Sequence, residues 1–286
     1  MIARRPGGMI ASRTARRIAG VAAAALALAG PARAEPSLEP RDLLARAFAN
    51  LYADDYIQTM ELAAESPGMR PVVRTLQILR KQSIVPGKAL VRFLEPPDIR
   101  RTSVLILENR ATNDDLWVYL PAVRMTRRIS SSQRADSFFG TDLSYEDVEP
   151  KHADDYDVVP GGAAEDAAGC VVLDIRARPP FESTYERMLS CIEPDRALIR
   201  WTDFYRKGAR VKRLRMDPSS VKPIGDRFIP FLITMETLRT RSRTDVRTQS
   251  YELVKKLDEK LFNTWNLEAG DAEKDRSRSG AKTGAH

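Results

Sequence analysis

The sequence predicts a mainly β protein with a few helices (an α+β fold), built on an antiparallel sheet. From Tyr56 onward, apolar residues recur mostly at every second position in a series of short segments, which is the period of a half-buried strand. Turn signals such as Pro67-Gly68 and Pro86-Gly87 separate consecutive segments. Strands joined by short polar turns favour an antiparallel meander over parallel βαβ units.

A targeting segment precedes this region. Five arginines (Arg4, Arg5, Arg13, Arg16 and Arg17) are followed by the short apolar stretch Ile18–Gly30 and the cleavage motif Ala32-Arg33-Ala34. The apolar stretch is too short to span a bilayer comfortably. We therefore expect secretion with cleavage between Ala34 and Glu35. No cysteine follows that site, so no lipid anchor is predicted on the mature N-terminus.

The net charge does not indicate nucleic-acid binding. The chain carries +7, but the leader's six arginines account for all but +1 of it. Residues 35–269 are long enough for one domain with a single core. Residues 270–286 hold only small, charged or polar side chains, and we predict that this tail is disordered. The predicted organisation is therefore a signal peptide (1–34), one domain (35–269) and a tail (270–286).

Two helices and twelve strands are predicted in chain order. Helix Pro40–Leu51 has proline in its first turn and apolar residues at helical spacing. The predicted strands are Tyr56–Glu65, Val73–Val85, Lys88–Leu94, Ser103–Asn109, Leu116–Leu120, Val123–Ile129, Cys170–Arg178, Tyr185–Ile192, Leu198–Tyr205, Val211–Met216, Phe228–Leu238 and Thr244–Leu253. The strand Leu116–Leu120 is apolar on both faces. A short terminal helix, Asp258–Asn263, is predicted to dock through Leu261, Phe262 and Trp265.

Residues 130–157 are the least strand-like part of the domain. Phe138, Phe139, Leu143 and Tyr145 form either a packed corner or a flap over an open side of the sheet. Both interpretations stay open at this stage.

The two cysteines lie on the arms of a predicted hairpin. A register with Cys170 opposite Cys191 also sets Asp174 opposite Arg187 and Leu173 opposite Met188. In an oxidising compartment this register predicts a Cys170–Cys191 disulfide. The spacing fits neither a redox C-x-x-C motif nor a zinc site.

The stretch Leu116–Asp147 carries a family resemblance. It closely resembles the Trp-x-Tyr-Leu-Pro, Arg-Arg-Ile-Ser-Ser-Ser, Ser-Phe-x-Gly-Thr-Asp and Tyr-Glu-Asp block of the outer membrane lipoprotein-sorting-like (LolA-like) family of periplasmic carriers. A weaker likeness extends over residues 35–270. The resemblance implies a curved antiparallel sheet forming a half-open β-barrel (LolA/LolB-like). Helices would cover its concave face, and lipid would lie against that face.

The same resemblance implies a set of ligand-binding residues. The apolar candidates for the cavity and its mouth are Trp117, Tyr119, Met125, Phe138, Phe139 and Tyr145. Arg124, Arg127 and Arg128, with Arg134, are candidates to pair with phosphate headgroups or an acidic membrane partner. The alternative is an ordinary charged edge that discourages aggregation.

Catalytic motifs are scarce. His152, interpreted as a surface residue, and His286 are the only histidines, and the sequence has no G-x-S-x-G, phosphate-loop or H-E-x-x-H motif. Asp142, Glu146, Asp147 and Glu149 are interpreted as solvated turn acids rather than a glycosidase pair. We expect no enzymatic activity, no cofactor and no metal.

The sequence by itself predicts a secreted, β-rich domain with an apolar interior. The resemblance implies that it is a periplasmic carrier that shields a lipid or a lipoprotein's acyl chains between the inner and outer membranes. The expected partners are that lipid or lipidated protein and an inner-membrane lipid exporter, with no nucleic acid and a monomeric state. Two alternatives stay open. One is an accessory protein of an envelope (RND-type) transporter that binds no lipid, and the other, disfavoured, is a lipid hydrolase.

Overall fold

The computed structural model describes residues 39–83, 85–164 and 166–267. The predicted signal peptide, with its cleavage between Ala34 and Glu35, and the predicted tail 270–286 lie outside these residues. The described chain is mostly β, with one α-helix and a large antiparallel sheet that does not close into a barrel. No helix among the described residues has both the length and the apolar character needed to cross a membrane.

Helix α1 spans Pro40–Tyr52, one residue beyond the predicted end. The fifteen strands of the described residues are β1 Tyr56–Glu65, β2 Val72–Lys81, β3 Lys88–Glu95, β4 Ser103–Leu107, β5 Asp115–Leu120, β6 Met125–Arg128, β7 Tyr156–Pro160, β8 Val171–Ala177, β9 Arg187–Glu193, β10 Leu198–Arg206, β11 Ala209–Met216, β12 Val221–Ile224, β13 Arg227–Pro230, β14 Leu232–Thr237 and β15 Ser242–Leu253.

Thirteen of these strands form one sheet in the order β6-β5-β4-β3-β2-β1-β15-β14-β11-β10-β9-β8-β7. Every neighbouring pair is antiparallel, and most neighbours follow each other in the chain, which confirms the predicted antiparallel meander. The short strands β6 and β7 form the two free edges. Strands β12 and β13 pair only with each other.

Two predicted strands differ from the structure because of local backbone constraints. Predicted strand Phe228–Leu238 is split into β13 and β14 after Pro230, which has no N–H to donate to a ladder. Predicted strand Val123–Ile129 shortens to β6 because Arg124 has a left-handed φ of 48° in the preceding turn. Strands β7 and β12 were not predicted.

The sheet is apolar on both faces at the β1–β5 end. On strand β5, Leu116 and Val118 belong to the main core, whereas Trp117 and Tyr119 face a second apolar cluster. We call the face of the main core the inner face and the other the outer face. The prediction that the strand at residues 116–120 is apolar on both faces is therefore confirmed.

The C-terminal segment 254–267 covers the outer face. Leu257, Leu261, Phe262 and Leu267 are buried against the sheet, and Lys81 Nζ donates a 2.8 Å hydrogen bond to the Leu257 carbonyl. The segment contains two 3-10 helices, Glu259–Leu261 and Thr264–Leu267. The prediction that Trp265 docks here is wrong, because its side chain is 88% exposed while Leu267 takes the buried position.

The β8–β9 hairpin contains the Cys170–Cys191 disulfide, as predicted, with Cα atoms 5.4 Å apart. The predicted register is wrong by two residues, because Val172 rather than Cys170 pairs with Cys191. A shift of two keeps every side chain on its face. The Arg187–Asp174 ion pair survives as a diagonal contact of 2.9 Å, while Ile175 takes the place of Leu173 opposite Met188.

Removing this disulfide is expected to destabilise the protein. Closing a loop between cysteines 21 positions apart corresponds to about 3 kcal/mol of stabilisation in the chain-entropy account. A Cys170→Ala/Cys191→Ala variant and the reduced unsubstituted protein should both show this loss in urea denaturation. Unchanged stability in both samples would contradict the prediction.

Candidate functional site

Two apolar cavities lie on the inner face of the sheet. The first has a volume of about 170 Å³ and is lined by Ala47 and Phe48 of α1 together with Met188, Phe204 and Met235. The second has a volume of about 200 Å³ and is lined by residues of β1–β4 and β15, among them Met60, Ile78, Val91, Ile106 and Val246.

The two cavities adjoin each other. Six residues line both of them: Leu51, Tyr52, Asp147, Leu214, Pro230 and Ile233. We call the two cavities together the trough. Their joint volume reaches the lower part of the range of small-molecule sites, about 300–1,000 Å³, and most of the lining is aliphatic or aromatic. The trough can therefore hold an apolar ligand.

The second cavity has one polar end. Tyr56 is the first residue of β1, Arg80 pairs with it near the end of β2, and Tyr251 lies near the end of β15. Because β1 is antiparallel to both neighbours, these three residues lie at the same end of the sheet. Tyr56 and Tyr251 stack with ring centroids 4.7 Å apart. Toward the other end of the same strands the lining is Met60, Ile78 and Val246. The cavity is thus polar at one end and apolar at the other.

Arg80 is a buried cation at this polar end, with only 1% of its surface exposed. Its Nη2 donates to Glu108, with which it forms an ion pair, and to Gln82 Oε1 at 2.6 Å. Within the described chain, neither Nε nor Nη1 of Arg80 has a hydrogen-bond partner. The guanidinium also lies 5.7 Å from the ring centroid of Tyr52, within cation–π range.

Glu108 is the counter-ion of Arg80. Its carboxylate also accepts a 2.9 Å hydrogen bond from His152 Nε2 and one of 3.2 Å from the Gly87 amide. Burial opposes ionisation of this carboxyl, but the His152 hydrogen bond and the charge of Arg80 outweigh it and lower the pKa of Glu108 to about 2. The interpretation of His152 as a plain surface residue is therefore wrong.

The four acids at positions 142–149 are also not solvated, contrary to expectation. Asp142 accepts hydrogen bonds from Ser242 and Thr244 of β15. Asp147 accepts a 3.0 Å bond from Lys212 Nζ. Glu146 and Glu149 are buried as well: Glu146 accepts from the Thr184 amide at 2.8 Å, and Glu149 pairs with Arg134. The contacts of Asp142 with β15 and of Asp147 with β11 attach residues 130–157 to the sheet. All four buried carboxylates have the polar partners that burial requires.

The aromatic residues of the same segment form a packed cluster. Phe138 is 1% exposed, and its ring centroid lies 5.1–5.7 Å from those of Phe93, Phe139 and Tyr145. Of the two interpretations of this segment, the packed corner describes the structure as it stands. The cluster belongs to the main core, but it does not line the trough.

The other residues predicted for ligand binding lie elsewhere. Trp117 and Tyr119 face the outer cluster. Arg124 and Met125 are exposed at the β5–β6 turn, Arg127 lies 3.3 Å from Gln133 Oε1, and Arg128 pairs with Asp115. None of the nine predicted side chains lines either cavity. The sequence reasoning missed Tyr52, Arg80, Leu214 and Ile233, although all but Tyr52 fall inside predicted strands.

The fold and the trough define a class of protein in which an open antiparallel sheet carries an apolar cavity on one face. Within the described residues, no group of three His, Cys, Asp or Glu side chains could hold a metal ion.

Solved structures with this fold include a DUF1329 family protein from Desulfovibrio piger ATCC 29098. It is 25% identical with a TM-score of 0.73, covering 80% of this chain and 97% of that chain. A domain named for outer membrane lipoprotein sorting, from Vibrio parahaemolyticus, is 23% identical with a TM-score of 0.73, covering 80% and 98%. A LolA superfamily protein from Nitrosomonas europaea is 18% identical with a TM-score of 0.64, covering 80% and 99%.

A family model described as "-like: Uncharacterized protein" matches residues 86–269, which is more than half of the chain. The chain therefore belongs to this family, and its structural relatives are DUF1329 and outer membrane lipoprotein-sorting (LolA superfamily) proteins. This confirms the resemblance seen in residues 116–147. No curated protein matches the chain by sequence.

Proposed function

We propose that the protein is a periplasmic carrier that binds lipid or lipoprotein acyl chains in the trough and transfers them between the inner and outer membranes. The observation that carries this proposal is the pair of adjoining apolar cavities on the inner face, with their shared lining. Each buried acyl methylene contributes about 0.8 kcal/mol. Ten methylenes would therefore supply about 8 kcal/mol, which corresponds to micromolar affinity.

Two further observations support a carrier. The N-terminal 34 residues have the pattern of an export signal, which agrees with periplasmic localisation. Two structures with the same fold are named for lipoprotein sorting or for the LolA superfamily. By analogy, the protein would receive its ligand from an inner-membrane lipid exporter and act as a monomer without catalysing a reaction.

The proposal assigns a covering role to the helical parts of the chain. The sheet would curve as a half-open barrel, with α1 and the 3-10 helices of residues 131–155 over its concave face. Leu43, Leu44 and Phe48 of α1 belong to the main core, and Phe48 also lines the first cavity. Asn50 fixes the end of the helix through a 3.0 Å hydrogen bond to the Ala197 carbonyl. Opening this cover would admit an acyl chain.

Native mass spectrometry and lipid extraction of protein purified from periplasm test the proposal. We expect co-purified phospholipid or acyl peptide at close to one molecule per chain, because an apolar trough of this kind is unfavourable when filled with water. A protein of matched size purified from the same extract is the control. An empty protein that takes up no lipid from vesicles but forms a stable complex with a membrane pump would instead favour the accessory role. Turnover of a lipid ester would overturn both.

A further inference from the structure

The polar end of the trough contains groups that an aliphatic ligand alone would not need. Arg80 lines the second cavity, yet two of its guanidinium nitrogens have no hydrogen-bond partner within the described residues. The buried hydroxyl of Tyr251 lines the same cavity; it lies beside Arg227, which can only donate, and its own proton has no acceptor within the described residues. Buried polar groups in proteins are nearly always paired, so unpaired donors beside a cavity point to a ligand that supplies acceptors.

The donors are suited to an anion. A guanidinium presents its N–H groups in a planar fork that matches a carboxylate or phosphate. Burial raises the pKa of the Tyr251 hydroxyl to about 12, against the opposing charge of Arg227 and a hydrogen bond from it, so at neutral pH this hydroxyl keeps the proton that it would donate. Arg227 is itself buried and donates a 3.2 Å hydrogen bond from Nη1 to the Asn50 carbonyl.

The rest of the cavity is suited to a hydrocarbon chain. From Arg80 the lining continues along the strands to Ile78, Met60 and Val246. It then reaches Leu214 and Ile233, which are shared with the first cavity. A molecule with a charged head and one apolar tail would match both ends.

Resting on the proposed carrier function, we propose that the ligand of the trough is an amphiphile with a single acidic headgroup, and that Arg80 binds this headgroup with the help of Tyr251. The acyl chain then extends along the trough toward Ile233. Carboxylate and phosphate headgroups share the chemistry that Arg80 recognises. A lipid with an uncharged head would bind through its chain alone.

Calorimetric titration of the whole protein with decanoate, decyl phosphate and decanol tests this inference. The three share a chain and differ in the head. We expect the better of the two acids to bind about 10- to 100-fold more tightly than decanol, as hydrogen bonds to a charged group would give. Which acid binds more tightly distinguishes a fatty acid from a phospholipid as the source.

Two variants test whether Arg80 and Tyr251 bind the acidic headgroup. Arg80→Gln/Glu108→Gln removes the guanidinium without leaving a buried carboxylate unpaired, and Tyr251→Phe removes only the hydroxyl. Both should weaken binding of the acids, the first by about 10-fold or more, and leave decanol binding unchanged. Arg100→Gln, on an exposed arginine paired with Glu95, should change nothing.

The outcomes separate this inference from the function on which it rests. Equal affinity for decanol and both acids would overturn the role of Arg80 and leave the carrier function standing. Acid selectivity that survives in both variants would overturn the assignment to Arg80 and Tyr251. Failure of all three ligands to bind would overturn the carrier function together with the inference.

Discussion

Ile233→Trp is expected to weaken lipid binding by at least about 10-fold. Ile233 lies on β14 and lines both cavities, so the indole ring of a tryptophan at this position would occupy the space where the two cavities meet. Excluding only two acyl methylenes from the trough would cost about 1.6 kcal/mol, which is somewhat more than a tenfold change in affinity. Binding of a fluorescent fatty acid, measured by titration, checks the prediction.

Val73→Trp is the matched control for this substitution. Val73 lies on β2 and is 46% exposed, so the same ring added there stays outside the trough. Its affinity for the fatty acid should equal that of the unsubstituted protein. Thermal unfolding of both variants separates blocked binding from misfolding, because overpacking typically destabilises by about 1–3 kcal/mol. Equal binding by a folded Ile233→Trp protein would show that the ligand does not use the trough.

Glu108→Gln is expected to destabilise the protein by about 3–5 kcal/mol. The substitution leaves the guanidinium of Arg80 buried without a counter-ion, and uncompensated buried charge carries a cost of this size. Glu95→Gln is the control, since Glu95 pairs with Arg100 at an exposed site and should contribute less than about 1 kcal/mol. Urea denaturation at neutral pH measures both.

The lowered pKa of Glu108 predicts that the stability difference between the unsubstituted protein and Glu108→Gln depends on pH. In the folded protein the pKa of Glu108 is about 2, below its ordinary value of about 4.3 in an unfolded chain. An acid with a lowered folded pKa contributes stability that is fully present above the unfolded value and is lost as pH falls through the folded value. The stability gap between unsubstituted protein and Glu108→Gln should therefore narrow below about pH 4.3. A gap that widens in acid would contradict the role of this ion pair.

Much of the fold could be predicted because its signals are local. Strand β1 was predicted with the observed ends, and α1 within one residue, since period two and helical spacing are properties of neighbouring residues. The disulfide was also predicted correctly. The hairpin register was not, because shifts by two residues preserve the same faces and differ only in which cross-strand pairs form.

For the candidate site, the sequence predicts an apolar interior but not the residues that line it. An apolar interior follows from the alternation of the strands, but the lining residues depend on which strands lie side by side. Asp142 shows the difficulty: its hydrogen-bond partners Ser242 and Thr244 are about a hundred positions away in the chain, so nothing nearby distinguishes it from a solvated acid. In the sequence, Arg80 is also indistinguishable from any basic residue beside Lys81. Its environment is set by Glu108 and Tyr56, which are distant in the chain and become its neighbours only in the folded sheet.

The free edges at β6 and β7 have a mechanical consequence. A closed barrel can widen only if the backbone hydrogen bonds between two of its strands break. An open sheet can instead move its edge strands apart by bending. If the protein is the carrier proposed above, the volume of the trough is therefore a lower bound on the size of its ligand. The proposed carrier would admit a ligand larger than the trough while all twelve strand-to-strand ladders of the large sheet stay intact.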